Sequence, residues 1–409
     1  MSDLHLTGDH RRSPDERDRS IAFSRFVEDL TTQLDDDPQI RLVVLGDMLD
    51  LTHVEPRLPR ASAVDASIRR LDQIGVAHAT FFGALGRFVS AGGDLDVVIG
   101  NHDLDLAHLE IRERFVERLG LIPGSTEATR VTFHNWFLYV RDVLYAEHGH
   151  RFHDINAVPA PDGHDVPSLD TPADVPLAAF LDAFVSTLRA GGSPGAVATD
   201  VGTLMSAVVA HLASQGARAA DTSTRPGASL RASAGQELDD DALAALDALS
   251  ARPRVATAIR VANAIFGVPM RLLLPYVIVG GVIRSIFRGT AVARVGILLT
   301  VVGALATLVR DRRRLWPPPR STAYALEGAE RLQGVMEVAG SAVPFYVLGH
   351  THVPSLVRLD RRGKQAMYLN TGSWIGVEGG RGYPFVRITR TGTSEPDSEL
   401  VWWRPEPSA

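Results

Sequence analysis

The stretch Val97-Val98-Ile99-Gly100-Asn101-His102-Asp103 reads as the end of a buried strand, followed by a sharp turn that carries an amide oxygen, an imidazole and a carboxylate. Asn, Asp and Gly favour turns in any protein, so the stretch gains meaning from its counterparts elsewhere. Asp3-Leu4-His5 lies upstream. Gly46-Asp47 closes one apolar run, His148-Gly149-His150 follows a second, and His350-Thr351-His352 follows a third. A polar cluster at the end of each strand-like segment is the way an open α/β sheet assembles a site from distant parts of the chain.

Working outward, the N-terminal half alternates strands with helices. Ile21 to Leu34 has helical periodicity, Leu42 to Leu45 is a buried strand, and Ala61 to Val89 reads as one long helix or a helix pair. Leu95 to Ile99 is the next strand and Ala107 to Leu119 an amphipathic helix. Val131 to Tyr139 and Val143 to Tyr145 read as two antiparallel strands. A buried strand is expected ahead of Asp3, where only Met1 is present, which suggests a start site placed too late. In the C-terminal half, Ala323 to Val338 is helical and Val343 to Leu348 a strand. Leu356 to Leu359 pairs with Met367 to Leu369, and Phe385 to Ile388 with Leu400 to Trp403 complete a small sheet. The expected class is α/β.

Composition narrows the chemistry. The 409 residues are 45% hydrophobic and 22% charged, with a net charge of -6, which gives no overall push toward nucleic acid or anionic lipid. No cysteine is present, so disulfides, thiolate metal sites and cysteine nucleophiles are excluded. A metal would be held by His, Asp, Glu and Asn. Asp3, His5, Asp47, Asn101, His148, His350 and His352 exceed what one tetrahedral zinc takes and suit two ions sharing a carboxylate. Imidazole among the donors favours Mn, Fe or Zn over Mg, with Mn first.

In order, Asp3-x-His5, Gly46-Asp47, Gly100-Asn101-His102-Asp103, His148 in Glu-His-Gly-His, and Gly349-His350-Thr351-His352 resemble the five motifs of the calcineurin-like metallophosphoesterases. The resemblance covers about residues 1–160 and 321–390. It implies a four-layer α-β-β-α sandwich of two mixed sheets between helices, and hydrolysis of a phosphomonoester, phosphodiester or pyrophosphate by a hydroxide bridging two divalent ions. Asp3, His5 and His352 would hold one ion, Asn101, His148 and His350 the other, and Asp47 would bridge them. His102 would face the phosphate as general acid or transition-state stabiliser, and Asp103 would orient it. His150, His153, Asp154 and Asn156 either touch substrate or hold their loop in place. Asp50 reads as a supporting residue behind the site or a helix cap, and Asn370 to Trp374 as structural support beside it.

The resemblance divides the chain into a first part of the phosphoesterase domain (1–165), a helical insertion (166–320) and a second part of the same domain (321–409). Within the insertion, Leu177 to Leu188 and Val197 to Leu212 read as helices and Ser214 to Asp241 as a linker. Residues 256–309 are strongly apolar, but their uninterrupted runs fall short of the ~20 residues that a spanning helix needs. Arg310, Arg312, Arg313 and Arg314 close the segment. It reads as a surface-embedded anchor ahead of a span, with a buried helical cap or a dimer interface as the alternative.

The expected protein is therefore a cytoplasmic enzyme at the inner face of the plasma membrane, acting on a phosphoester that could be lipid-linked. It is similar in this respect to the bacterial UDP-diacylglucosamine pyrophosphohydrolases. Those enzymes usually carry Arg where this chain has His102, and a shorter insertion. A nuclease would need a basic groove beside the metals, whereas the basic cluster here flanks an apolar segment, so nucleic acid is disfavoured. A membrane-associated scaffold with a vestigial site is the reading from another class. Deleting residues 256–309 is expected to preserve hydrolysis of a small chromogenic ester and to move the protein from membrane to soluble fractions. An unchanged partition would contradict membrane contact.

Overall fold

Two of three parallel strands lead into the Gly46-Asp47 and Gly100-Asn101-His102-Asp103 turns. In a computed structural model, β1 (Arg41–Leu45) pairs with β2 (Asp94–Val98), and β2 pairs with β3 (Val131–His134). The structure describes residues 1–8, 14–54, 64–153, 155–157, 177–180, 203, 206–207, 238–250, 322–375, 382–392 and 394–405. The apolar segment 256–309, the basic cluster 310–314 and Asp154 lie outside them. So does the expected linker up to residue 237.

Four helices accompany this sheet: α1 (Pro14–Gln33), α2 (Val64–Ala77), α3 (Ala79–Ser90) and α4 (Leu109–Arg118). Proline and two acidic residues open α1, where the missing N–H costs nothing and the helix dipole favours negative charge. The stretch expected as a long helix or a pair is a pair, divided at His78. This buried residue leaves helical geometry, and its Nε2 lies 2.9 Å from both Glu16 Oε1 and the Thr7 carbonyl oxygen.

The second sheet is mixed, in the order β4 (Phe137–Val140), β5 (Leu144–Glu147), β6 (Phe345–Leu348), β8 (Lys364–Asn370), β7 (Ser355–Arg361). The β4–β5 and β7–β8 pairs are antiparallel, and β5–β6 and β6–β8 are parallel. The single strand expected over Val131 to Tyr139 is therefore two strands in two sheets. The chain crosses between them at Asn135-Trp136, where the Trp136 indole enters a different core and donates to Glu147 Oε2 at 2.7 Å. His134-Asn135 interrupts the apolar residues at the crossing, a break too short to show that the two halves join different sheets. A separate antiparallel pair, β9 (Tyr383–Thr389) and β10 (Asp397–Trp403), closes the chain.

Strand alternation divides the apolar residues into three clusters. Val44, Leu95 and Val97 pack with Phe23, Phe81, Phe88 and Phe115 of the helices α1, α3 and α4. Their alternates Leu45 and Val98 pack with Leu138, Ala146, Phe345, Val347 and Leu369 of the mixed sheet. On that sheet's other side, Tyr145, Tyr346 and Tyr368 meet α6 (Ala323–Val338) and α5 (Asp240–Asp247). Thus part of the middle region, capped by Asp239 accepting from the Ala242 N–H at 2.7 Å, belongs to this core. Of the two helices expected before it, residues 177–180, 203 and 206–207 are described and are helical. The chain is mixed α/β, and among the described residues no helix is long and apolar enough to cross a membrane.

Met1 to Leu6 runs beside residues 43–50, where a strand was expected ahead of Asp3. The N–H groups of Asp3, His5 and Leu6 donate to the carbonyls of Gly46, Asp47 and Met48 at 3.1, 2.9 and 3.1 Å. Fully buried Trp374 stacks on Tyr383, packs edge-on against Phe23 and Phe26, and donates Nε1–H to the Pro384 carbonyl at 2.9 Å. Its backbone N–H reaches the Asp3 carbonyl, so the aromatic cluster is tied to the N-terminal segment. Trp374→Ala is expected to cost about 3–5 kcal/mol in denaturant unfolding. A loss below about 1 kcal/mol would show that the cluster bears no load.

Candidate metal centre

The strand ends converge. Asp3, His5 and His352 form one group of donor atoms within 4.8 Å of one another, and Asp47, His148 and His350 form a second. In the first, His352 Nε2 is 3.1 Å and His5 Nε2 3.7 Å from Asp3 Oδ1, and the two Nε2 atoms are 3.3 Å apart. In the second, His148 Nε2 is 3.1 Å from both Asp47 Oδ2 and His350 Nδ1. Asp47 Oδ2 joins the groups, because it is also 3.7 Å from His5 Nε2. Its other oxygen accepts the His102 backbone N–H at 2.9 Å, which fixes the carboxylate's rotation.

The exposure of the two groups differs. Asp47 and His148 are buried, whereas the His352 side chain is 36% exposed. The inner group is also the better supported. His148 Nδ1 donates to the Leu45 carbonyl at 2.8 Å, which directs Nε2 at Asp47, and Asn156 Nδ2 lies 2.8 Å from His350 Nε2. Asn156 thus holds a histidine of the site.

The backbone is strained where the side chains converge. Asp3, His5, Asp47, His350 and His352 all have positive φ, between 49° and 66°. The remaining non-glycine examples among the described residues are Asp142 and Arg362. Asp and His tolerate this region better than most residues, yet each such position costs of order 1 kcal/mol and persists only where its surroundings impose it. Two motif glycines are required by close approach. A Cβ on Gly46 would stand 2.5 Å from the His148 ring, and one on Gly100 would stand 2.2 Å from Asp47 Oδ1.

Charge is concentrated here. Burial opposes ionisation of the Asp3 and Asp47 carboxyls, but His148 and its neighbouring imidazoles hold both below the usual range. Burial likewise opposes a charge on His5, but its bonds to Asp3 and Asp50 raise it to about 9. His148 is raised to about 9 against burial by Asp47 and Asp3. Burial and His148 keep His150 and His350 neutral, the form that ligates a metal.

The residues fit divalent ions on two counts. The donors are carboxylate, imidazole and amide oxygen, as transition ions prefer. In addition, the oxygen of buried Asn101, Oδ1, has no hydrogen-bond partner among the described residues. A buried polar oxygen left without a partner is costly unless something else coordinates it.

One expected role falls to a different residue. Asp103 is fully buried, and its oxygens accept from the Gly100 and Met48 N–H groups at 2.6 and 2.9 Å, so it fixes the turn rather than the His102 ring. Burial and the Asp47 charge push its carboxyl up to about 7. The His102 ring is met by Asp50, whose Oδ1 lies 2.9 Å from Nδ1, and by Thr52 Oγ1 at 3.1 Å. Asp50 supports the site and does not cap the turn that follows it. His53, also on Asp50, was not singled out by sequence reading. The only signal was its spacing three residues beyond Asp50. His150 lies with its ring 5.4 Å from His148, and the His153 ring is 5.8 Å from His350. Asn370 donates to the Gly349 carbonyl at 2.8 Å and Ser373 to the Asp3 carbonyl at 3.0 Å, so the 370–374 turn buttresses two of the motifs.

Neither a scan of protein-family models nor a search of curated proteins found a match to this chain. Gly100→Ala, which forces Asp47 to move, is expected to weaken manganese uptake about 10–100-fold in equilibrium dialysis. Unchanged uptake would remove Asp47 from the ligand set.

Proposed function

We propose that this chain is a dinuclear metal-dependent phosphoesterase of the calcineurin-like type, cleaving a phosphomonoester, phosphodiester or pyrophosphate. The observation that carries the reading is Asp47 Oδ2, one carboxylate oxygen between two Asp/His groups, as a bridging ligand requires. Asp3, His5 and His352 would hold one ion, and Asn101, His148 and His350 the other. Manganese comes first among Mn, Fe and Zn. When bound, the ions supply Lewis acidity to the phosphoryl oxygens and bring the pKa of water into the neutral range.

The chain's own groups supply position and proton transfer. With Nδ1 of His102 committed to Asp50, proton donation to the leaving oxygen falls to Nε2 as the ester P–O bond breaks. Asp50 steadies the imidazolium that this step needs. Burial opposes ionisation of its carboxyl, but the His102 and His53 imidazoles and the hydrogen bonds to His102 and His5 hold it well below the usual range. The three apolar clusters support a four-layer α-β-β-α arrangement, because one is shared by both sheets and each of the others carries helices. We place the substrate at the cytoplasmic membrane face, with residues 256–314 as the contact and a lipid-linked ester within reach.

Chelation is expected to abolish hydrolysis of p-nitrophenyl phosphate and bis-p-nitrophenyl phosphate, and manganese to restore it as two ions bind per chain. Asp47→Asn and His350→Ala are each expected to lose at least about 100-fold in turnover with the fold retained by circular dichroism. Near-wild-type turnover in either variant would refute the assignment, and a chain that takes up no metal would favour the scaffold reading.

A further inference from the structure

Asp50 stands immediately before the short turn Leu51–His53, where a carboxylate ordinarily caps the backbone, yet it makes no cap hydrogen bond. Its Oδ1 instead meets three side chains: Thr52 Oγ1 at 2.7 Å, His53 Nδ1 at 2.8 Å and His102 Nδ1 at 2.9 Å. The two imidazoles lie nearly parallel, with 13° between their planes and 5.8 Å between centroids. Each ring faces the same carboxylate through Nδ1, so each directs the Nε2 edge away from it. The pair stands beside the candidate metal centre, since His102 also groups with His5 and Asp47.

We propose that His53 is a substrate-contact residue that works side by side with His102 to hold the non-bridging oxygens of a phosphoryl group. The inference rests on the phosphoesterase reading and deepens it by assigning the second imidazole a ligand. A ring anchored to Asp50 through Nδ1 turns its Nε2 edge outward, where it can meet a phosphoryl oxygen. The His53 side chain is 31% exposed, more than the 17% of His102, which leaves its outer edge open to a ligand. Two parallel donors suit the several equivalent oxygens of a phosphomonoester or a terminal pyrophosphate group. A diester has fewer such oxygens and would use the second donor less.

The test compares wild type with His53→Asn, which keeps an amide for Asp50 but removes Nε2, and with His53→Gln, whose amide reaches the Nε2 position. The readouts are KM and kcat for p-nitrophenyl phosphate, the same pair for bis-p-nitrophenyl phosphate, the inhibition constant of inorganic phosphate, and metal per chain. His53→Asn is expected to raise the monoester KM and the phosphate inhibition constant about tenfold, with the loss carried by KM rather than kcat. The diester is expected to change less, metal content to stay at wild-type level, and His53→Gln to recover part of the loss. Unchanged constants in both variants overturn the assignment. So does a fall in kcat at constant KM, which would show that His53 acts only through Asp50 and His102. A metal-loaded wild type that neither hydrolyses these esters nor binds phosphate overturns the phosphoesterase reading itself and this inference with it.

Discussion

The Asp47 carboxylate is where the strand ends are brought together. One oxygen accepts the His102 backbone N–H and so fixes the turn after β2 against the turn after β1. The other faces His148 from the mixed sheet and His5 from the N-terminal segment. The groups that meet here come from four separate parts of the chain. Their mutual repulsion and burial are tolerable only while carboxylates and imidazoles alternate. Removing one partner would leave a buried charge uncompensated, which costs more than the pair itself contributes.

Such a centre imposes a geometry that the backbone would not choose. Asp3, His5, Asp47, His350 and His352 adopt left-handed conformations, and Gly46 and Gly100 give way so that neighbouring side chains can approach. The restoring force comes from the layers around the site. The N-terminal segment is bonded along residues 43–50, Trp374 clamps the turn beside Asp3 onto α1, and Asp103 ties the turn after β2 to Met48. Strain located where function is expected, held by packing elsewhere, is consistent with a preorganised site.

A second level of organisation lies behind the carboxylates and imidazoles that meet at Asp47. Leu45 orients His148, Asn156 meets His350, and Asp50 collects His102 and His53. Through these contacts the ring nitrogens that face the centre are selected, and with them the atoms available for chemistry. Asp103 has a different task, since its oxygens are consumed by backbone amides.

The amino-acid sequence alone determined the α/β class, most strand and helix positions, and six side chains that the fold brings together, Asp3, His5, Asp47, His148, His350 and His352. These are local properties: β-branched runs, helical periodicity, and polar clusters at the ends of strands. Tertiary structure decided what local pattern cannot carry. The stretch from Val131 to Tyr139 reads locally as one strand, yet its halves join different sheets because Trp136 is drawn into another core. The run ending at Val89 breaks at His78 because its partners, Thr7 and Glu16, are more than sixty residues away. Asp50 rather than Asp103 meets the His102 ring, although Asp103 is its neighbour in sequence. Adjacency along the chain points successive side chains in different directions, and the strand-end turns bring distant ones into contact.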